Sequence, residues 1–180
     1  MDLPHQPSRV VIEGVSPSVD GGRFPIKRCV DESVVVEADI FADGHDMISA
    51  VVVYRHVESD HWQEAEMQLV NNDRWSGRFV VTHLGRYIYT VEGWVDHFKS
   101  WRRALEKKAS AGQDVTLELQ SGANLVRAWA ENAPHDDRAR LEDWARSFTD
   151  GAKTDQAELV RRALDPHMAE LLHRYPDRRF

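Results

Sequence analysis

Apolar and polar residues alternate through two consecutive segments in the first half of the chain. The segments are residues 75–82 and 86–96, and each places its large apolar residues on one face. These residues are Trp75, Phe79, Val81, Tyr87, Tyr89, Val91 and Val95. A period of two is what a pleated strand with one buried face requires. The pattern predicts two strands, the second of which follows a tight turn at Gly85.

Similar short segments come before this pair, separated by turn signals such as Asp43-Gly44. The full set of predicted strands is residues 9–14, 24–30, 34–41, 47–58, 62–70, 75–82 and 86–96. The residues predicted to face inward are Val34, Val36, Ala38 and Ile40 in one strand, and Ala65, Met67 and Leu69 in another. Seven short strands with turns at such intervals predict an immunoglobulin-like antiparallel β-sandwich.

After Phe98 the period changes to that of amphipathic helices. The predicted helices are residues 99–111, 114–132, 136–148, 156–164 and 166–175. Their apolar stripes are Val115, Leu119, Gly122, Val126 and Trp129; Leu141, Trp144, Ala145 and Phe148; and Met168, Leu171, Leu172 and Tyr175. These spacings of three and four place each stripe on one side of its helix. Short helices on short loops predict an antiparallel bundle.

Helix boundaries are marked by glycines and by acidic residues. Gly112 and Gly151 are predicted to end helices. Asp155 with Glu158 three residues later resembles a capping box, which would open the helix that follows. Asp165-Pro166 is predicted to cap and begin the last helix.

The fold class predicted is therefore α+β, with the sandwich over residues 1–97 and the helical bundle over residues 98–180. Residues 94–101 form the only connection between the two parts. We therefore expect the bundle to be an insertion in the sandwich, with the returning strand beyond Phe180. The chain would then be the N-terminal part of a longer protein, truncated before the sandwich is complete.

Composition limits the classes of function. The net charge of −7 argues against nucleic-acid binding, which needs clustered Lys and Arg. No apolar run approaches the ~18 residues of a membrane span, and the N-terminus lacks the features of a signal peptide. The single Cys29 fits a reducing compartment. We expect a cytoplasmic protein with neither a membrane nor a nucleic acid as partner.

Exposed aromatic rings are candidates for stacking on sugar rings. Trp62 begins a predicted strand, while Trp94 and Trp101 flank the junction of the two parts. The alternative, which we favour for the aromatic residues in general, is that they pack in the core or at an interface.

His56, Glu58, Asp60 and His61 form the only cluster of metal-ligating residue types. Because the cluster falls at a predicted turn, where polar residues are ordinary, we favour a solvated turn over a metal site. Glu64 and Glu66 are predicted to lie on an outward face. The sequence predicts no catalytic residue, no metal ligand and no cofactor-binding residue.

Several segments, in order along the chain, resemble the N-terminal region of α-1,4-glucan:maltose-1-phosphate maltosyltransferases. They are residues 9–13, Ser16-Pro17, residues 20–28, residues 34–46, residues 72–75, residues 85–103 and residues 112–115. The entry to the strand at residues 84–89 is also similar to the last hairpin of sandwich domains that precede starch and glycogen enzymes. Beyond about Gly122 the resemblance rests on helical character and order.

The resemblance implies a function for a longer parent enzyme. Members of the family extend α-1,4-glucan by retaining transfer of maltosyl from maltose 1-phosphate, and they are related to α-amylase-type glycoside hydrolases. A sandwich with an inserted helical bundle precedes a β/α barrel that carries the chemistry, and these N-terminal parts are associated with dimer assembly. None of the barrel motifs occurs in the 180 residues, so we expect no catalysis by this chain alone.

Three hypotheses follow. The first is a non-catalytic accessory and dimerisation region whose partners are its own catalytic barrel, a second copy and α-glucan. The alternative is a free-standing carbohydrate-binding β-sandwich module. The third is an enzyme of unknown type that uses the region from His56 to His61, and it requires a deep polar pocket there.

Overall fold

The structure is a computed structural model that describes residues 10–149, 154–176 and 178. Its strands are β1 Val10–Ser16, β2 Ser33–Ala42, β3 Ile48–His56, β4 Gln63–Glu66, β5 Gln68–Asn71, β6 Arg74–Val80 and β7 Tyr87–Val95. Its helices are α1 His97–Ser110, α2 Thr116–Ala130, α3 His135–Ser147, α4 Gln156–Ala163 and α5 Pro166–His173. The protein is therefore of mixed α and β structure. It divides into two compact units, with the boundary between Val95 and Asp96.

The first unit contains two antiparallel sheets. A four-stranded sheet has the order β1-β2-β6-β5, and a three-stranded sheet has the order β4-β3-β7. The consecutive strands β6 and β7 lie in different sheets, so the turn between them crosses from one sheet to the other. Gly85 in this turn has a φ of +133°, and a β-carbon there would lie 2.2 Å from Nε2 of His56. The tight turn predicted at Gly85 is present and tolerates no side chain.

One hydrophobic cluster draws its residues from both sheets of this unit. On β2, the four residues predicted to face inward are all at most 2 % exposed. The strand alternation predicted for residues 75–82 and 86–96 is also confirmed, since all seven of its apolar residues belong to the same cluster.

Two sequence predictions in this unit were wrong. Residues 24–30 form no strand and make only an isolated bridge between Phe24 and Val19. Pro25 has no N–H group to donate to a neighbouring strand, and Phe24 is exposed. The apolar alternation of this segment is therefore not accompanied by strand pairing.

The second wrong prediction is the single strand over residues 62–70. The chain changes sheets at Met67, so β4 pairs with β3 while β5 pairs with β6. Ala65 and Met67 point into the cluster as predicted. Leu69 does not, and it is exposed because β5 is the edge strand of its sheet.

The second unit has its own hydrophobic cluster, built from the five helices. The predicted stripes of α2 and α3 are buried along their whole length, and Leu171 and Leu172 of α5 are buried with them. Aromatic rings form its centre, with Phe98 5.6 Å from Trp101 and 5.8 Å from Trp129 between ring centroids. None of the described helices is long and apolar enough to cross a bilayer.

The helix boundaries agree with the sequence in most places. Gly112 follows α1 with a φ of +68°, and the Asp165 carboxylate accepts bonds from the N–H groups at the start of α5. The capping box at α4 is wrong. Asp155 precedes that helix but makes no side-chain cap bond. The carboxylate of Glu158 is bound by Arg161 and Arg162. The N-terminal residues and Gly151 lie outside the described residues.

Arginines satisfy the carbonyl groups at several helix ends. Arg138 donates to the carbonyls of Ala130 and Glu131 after α2, and Arg162 donates to that of Ser147 at the end of α3. Arg102 donates to the carbonyl of Leu164 at 2.9 Å, and burial lowers the pKa of its guanidinium from the usual range. Each guanidinium thus supplies hydrogen bonds that the helix cannot make within itself.

Candidate functional site

An open groove of about 1120 Å³ lies within the first unit. One wall is the beginning of β7, residues 87–90, and the other is the end of β1 with residues 17–28. Its apolar lining includes Val34, Phe79 and Val81. No Asp or Glu is among the lining residues.

A bulge in β1 lies beside the groove. The register of β1 against β2 shifts between Glu13 and Ser16, and Gly14 has a φ of +59°. Beyond the bulge β1 remains paired with β2 at Ser16. Arg74 donates to Ser16 Oγ at 3.2 Å and to the Glu37 carboxylate at 3.0 Å. The hydrogen bond with Glu37 and, after it, the pairing with Asp39 raise the pKa of Arg74 above its usual value. The bulge residues Gly14 and Val15 line the groove, and β1 stays in the sheet as far as Ser16.

The tyrosines that line the groove are already engaged. The Tyr89 hydroxyl donates to the Pro17 carbonyl, and burial raises the pKa of this hydroxyl. The Tyr87 hydroxyl accepts from the N–H groups of Thr82 and His83 at 3.3 and 3.2 Å. Both rings belong to the hydrophobic cluster of the unit. Their hydroxyl groups are therefore used for hydrogen bonds within the unit.

The direction of the backbone groups of β7 follows from two hydrogen bonds of β3. The N–H of Met67 donates to the carbonyl of Ala50 at 2.9 Å. The backbone N–H and C=O groups of the even-numbered residues of β3 are therefore directed toward β4. Because these groups alternate sides along an antiparallel strand, the odd-numbered residues of β3 bond to β7. The 2.9 Å bond from the Val57 N–H to the Arg86 carbonyl agrees with this assignment.

The register then gives the residues of β7 whose backbone is unpaired. Val51 faces Glu92 and Val53 faces Thr90, so these β7 residues bond to β3. The intervening residues direct their N–H and C=O groups away from β3. They are Tyr87, Tyr89, Val91, Gly93 and Val95. In the part of the chain that the structure describes, no strand pairs with this side of β7, which we call the open edge.

Trp62 is the one predicted stacking residue with a substantially open ring. Its side chain is 49 % exposed, and the guanidinium of Arg55 lies 4.9 Å from the ring centroid. Arg55 is itself held by the carbonyl of Ser59 at 2.6 Å. A cation over one face leaves the indole fixed in position at the surface.

The other two predicted stacking residues are engaged in packing. Trp94 is 6 % exposed and clusters with Val51 and Val53. Trp101 packs in the cluster of the second unit and donates from Nε1 to the carbonyl of Glu118 at 2.7 Å. In this structure neither ring presents a free face to a sugar.

The cluster from His56 to His61 is a turn, and His56 is fastened within it. His56 Nδ1 accepts the N–H of Glu58 at 3.3 Å, and Nε2 donates to the carbonyl of Leu84 at 3.2 Å. Both ring nitrogens thus have protein partners, and the neutral Nε2–H tautomer satisfies both bonds. Among the described residues no group of three His, Cys, Asp or Glu could hold a metal ion.

The groove and the open edge offer backbone donors and acceptors beside an apolar floor, which suits binding of an extended chain. They offer neither a nucleophile with its base nor a pair of carboxylates. This site was not among those predicted from the sequence. The alternation in residues 86–96 predicted which face of β7 is buried. It did not predict which strands pair with β7.

The chain belongs to the α-1,4-glucan:maltose-1-phosphate maltosyltransferase family. The family model for domain N/S of these enzymes matches residues 8–180. The chain is 42 % identical to the enzyme of that name from Chlorobaculum tepidum and 40 % identical to the one from Myxococcus xanthus, over 94 % of its length in both cases. It is 34 % identical to the enzyme from Burkholderia pseudomallei over 96 % of its length.

The chain spans only part of these relatives. It covers 25 % of the Chlorobaculum tepidum protein, 26 % of the Myxococcus xanthus protein and 15 % of the Burkholderia pseudomallei protein. The resemblance noted in the sequence is therefore confirmed for the N/S region. Most of the polypeptide of each of these relatives lies outside the matched segment.

Proposed function

We propose that this chain is a non-catalytic accessory and assembly region of a cytoplasmic α-1,4-glucan:maltose-1-phosphate maltosyltransferase. The parent enzyme would extend α-1,4-glucan from maltose 1-phosphate. The observation that carries the proposal is the family match over residues 8–180 together with a groove that no carboxylate lines. Retaining glycosyl transfer needs two carboxyl groups about 5 Å apart, so the chemistry would reside in another part of the enzyme.

For the architecture we propose an immunoglobulin-like sandwich into which an antiparallel helical bundle is inserted. Two antiparallel sheets that share one hydrophobic cluster support the sandwich. Five short helices around a second cluster support the bundle. The open edge of β7 supports the insertion, since a strand that returned after the helices would find an unpaired partner there.

The test of the non-catalytic role is an assay of the purified 180-residue chain with maltose 1-phosphate and a malto-oligosaccharide acceptor. We expect no release of phosphate, while the full-length Chlorobaculum tepidum enzyme in the same assay supplies the positive control. Turnover by the purified chain, free of contaminating enzyme, would overturn the proposal.

For the assembly role we propose a two-fold homodimer. Large apolar side chains on the outside of both units support it, among them Val35 (50 % exposed) and Leu117 (78 % exposed). Isologous contacts are the commonest form of assembly. Light scattering is expected to give twice the 20.7 kDa of one chain. A strict monomer at high concentration would contradict this part of the proposal.

A second candidate is glycan binding, and the exposed Trp62 favours it. Titration of maltoheptaose is expected to change tryptophan fluorescence in the unaltered chain and to have no effect in Trp62→Ala. Leu84→Ala, which alters an apolar residue that is 87 % exposed in the same unit, is the matched control. An unchanged fluorescence in all three proteins would remove this candidate.

A further inference from the structure

We infer that the ring of His56 is a pH-sensitive switch for the turn of residues 57–61. Protonation of this ring moves Arg55 and Trp62, which are held by the turn. The conformational change rests on the geometry of the turn alone. Only its consequence for a sugar rests on the proposed function, through the candidate stacking role of Trp62.

The ring of His56 is fixed on the side that faces β7. Its Nε2–H group donates to the carbonyl of Leu84 at 3.2 Å. A β-carbon at Gly85 would lie 2.2 Å from Nε2, so the ring packs closely on the backbone of this turn. The Tyr87 ring packs against it edge-on, with 5.1 Å between centroids. Since both the neutral and the charged ring carry the Nε2–H group, these contacts persist when the ring gains a proton.

The contact at Nδ1 is the one that depends on protonation. In the neutral ring Nδ1 accepts the N–H of Glu58 at 3.3 Å. In the charged ring Nδ1 carries a hydrogen, so it faces another donor and this bond is lost. The Glu58 carboxylate offers a replacement, because its Oε2 lies 3.9 Å from Nδ1 and its side chain is 87 % exposed and free to turn. The ring thus binds the backbone of Glu58 when neutral and its carboxylate when charged.

The other titratable groups near the ring are engaged elsewhere or lie outside bonding distance. On the facing turn, the His83 imidazole is bonded to the Thr82 hydroxyl at 2.9 Å. In the part of the chain that the structure describes, no side chain other than Glu58 forms an ion pair with His56. The neighbouring titratable residues for which this holds are Arg55, Asp60, His61, His83, Arg86 and Tyr87. A proton on the ring therefore acts first on Glu58.

Arg55 holds the same turn from the opposite face of β3, because successive side chains of a strand alternate between its faces. Its guanidinium donates to the carbonyl of Ser59 at 2.6 Å and to that of Val57 at 3.3 Å. These carbonyls belong to the two residues that flank Glu58. A rotation of the backbone at Glu58 therefore displaces both acceptors of Arg55.

The position of Trp62 depends on the same contacts. The guanidinium of Arg55 lies 4.9 Å from the centroid of the indole. The backbone that leads into Trp62 is fastened to the turn as well, since the N–H of His61 donates to Ser59 Oγ at 3.1 Å. A change at Glu58 thus reaches the indole through the cation on its face and through the preceding backbone. The charge of a partly buried histidine is thereby coupled to an exposed aromatic ring.

An NMR titration of the 180-residue chain tests the inference from about pH 5 to about pH 8, the range in which histidine ordinarily changes charge. The signals followed are the ring of His56, the backbone amide of Glu58 and the indole N–H of Trp62. We expect all three to shift with one common midpoint. At the upper end of the range the ring of His56 should show the Nε2–H tautomer.

His56→Gln and His61→Gln are a matched pair, since each removes a titrating ring from the same segment. His56→Gln keeps a donor for the Leu84 carbonyl but cannot be charged, so the shifts at Glu58 and Trp62 should be lost. The His61 ring makes no hydrogen bond to a described residue, so His61→Gln should leave both shifts in place. The tautomer and the common midpoint are measured on the unaltered chain, and they test the inference even if His56→Gln does not fold.

Separate midpoints, an Nδ1–H tautomer, shifts that persist in His56→Gln, or shifts that disappear in His61→Gln would each overturn the inference. For a sugar, we expect the affinity of the unaltered chain for maltoheptaose to change about two- to fivefold across the same pH range, which is the worth of one exposed cation–π contact. In His56→Gln this change should be absent. A failure of maltoheptaose to bind would remove the second candidate function and would leave the NMR result unaffected.

Discussion

At Gly122, helix α2 passes close to the indole of Trp101 on α1. A β-carbon at this position would lie 1.9 Å from Cζ2 of the indole, far inside contact distance. The indole cannot simply turn aside, since its Nε1 donates to the carbonyl of Glu118 and its ring packs 6.0 Å from Phe148. The approach of these two helices therefore depends on a single missing methyl group.

Gly122→Ala is therefore expected to destabilise the protein by about 2 kcal/mol, despite the better helix propensity of Ala, because overpacking outweighs that gain. Thermal and urea unfolding measure the change. Ser121→Ala, on the exposed side of the same helix, is the control and should be neutral or slightly stabilising. Equal stability of Gly122→Ala and the control would show that Trp101 yields without cost.

At the scale of elements, the caps of α4 and α5 form a natural comparison. Asp165 accepts the N–H groups of His167 at 2.8 Å and Met168 at 3.3 Å, whereas Asp155 makes no side-chain cap bond. Asp165→Ala should thus cost about 1 kcal/mol of unfolding free energy. Asp155→Ala should cost clearly less in the same urea titration. The reverse order would mean that the two helix starts have been misassigned.

Glu158 determines how α4 responds to acid. Hydrogen bonds from Arg161 and then Arg162 lower the pKa of its carboxyl from 4.5 to about 2. Because the folded-state pKa is depressed, the stability it contributes is fully present above about 4.5 and is lost as the pH falls from there through about 2.

An NMR titration of the Glu158 side chain should therefore show a midpoint near 2. Arg161→Ala and Arg162→Ala should each move that midpoint upward, toward the ordinary value. A midpoint near 4.5 in the unaltered chain would mean that these ion pairs do not persist in solution.

At the scale of the whole molecule, each unit buries its own hydrophobic cluster. The clusters of the first and second unit share no residue. Local destabilisation should therefore remain within the unit where it is introduced. Leu141, which is 0 % exposed on α3, and Val52, which is 0 % exposed on β3, are the residues that test this.

Leu141→Ala should cost about 3 kcal/mol in its unit by leaving a cavity. Hydrogen exchange should accelerate in α2 and α3 and remain unchanged in β2 and β3. Val52→Ala should give the opposite pattern. Acceleration of exchange in both units by either substitution would show that they unfold as one.

Local patterns predicted much of the fold because they report which side of an element is buried. The stripe from Val115 to Trp129 and the alternation from Val34 to Ile40 both appear as continuous buried faces. The wrong predictions concern segments whose structure depends on the neighbouring strand. Leu69 has the right periodicity, but it lies on an edge strand, and Pro25 removes a donor from a segment whose apolar residues alternate.

The sequence by itself determined the order and type of most elements, many residues of both hydrophobic clusters and the family, since each depends on residue identity and short-range spacing. The tertiary structure decided that β6 and β7 enter different sheets, that β1 bulges against β2 beside Gly14, and that no described strand pairs with one side of β7. Those features arise from pairing between residues far apart in the chain, and the side-chain period of a strand is the same whichever neighbour it has.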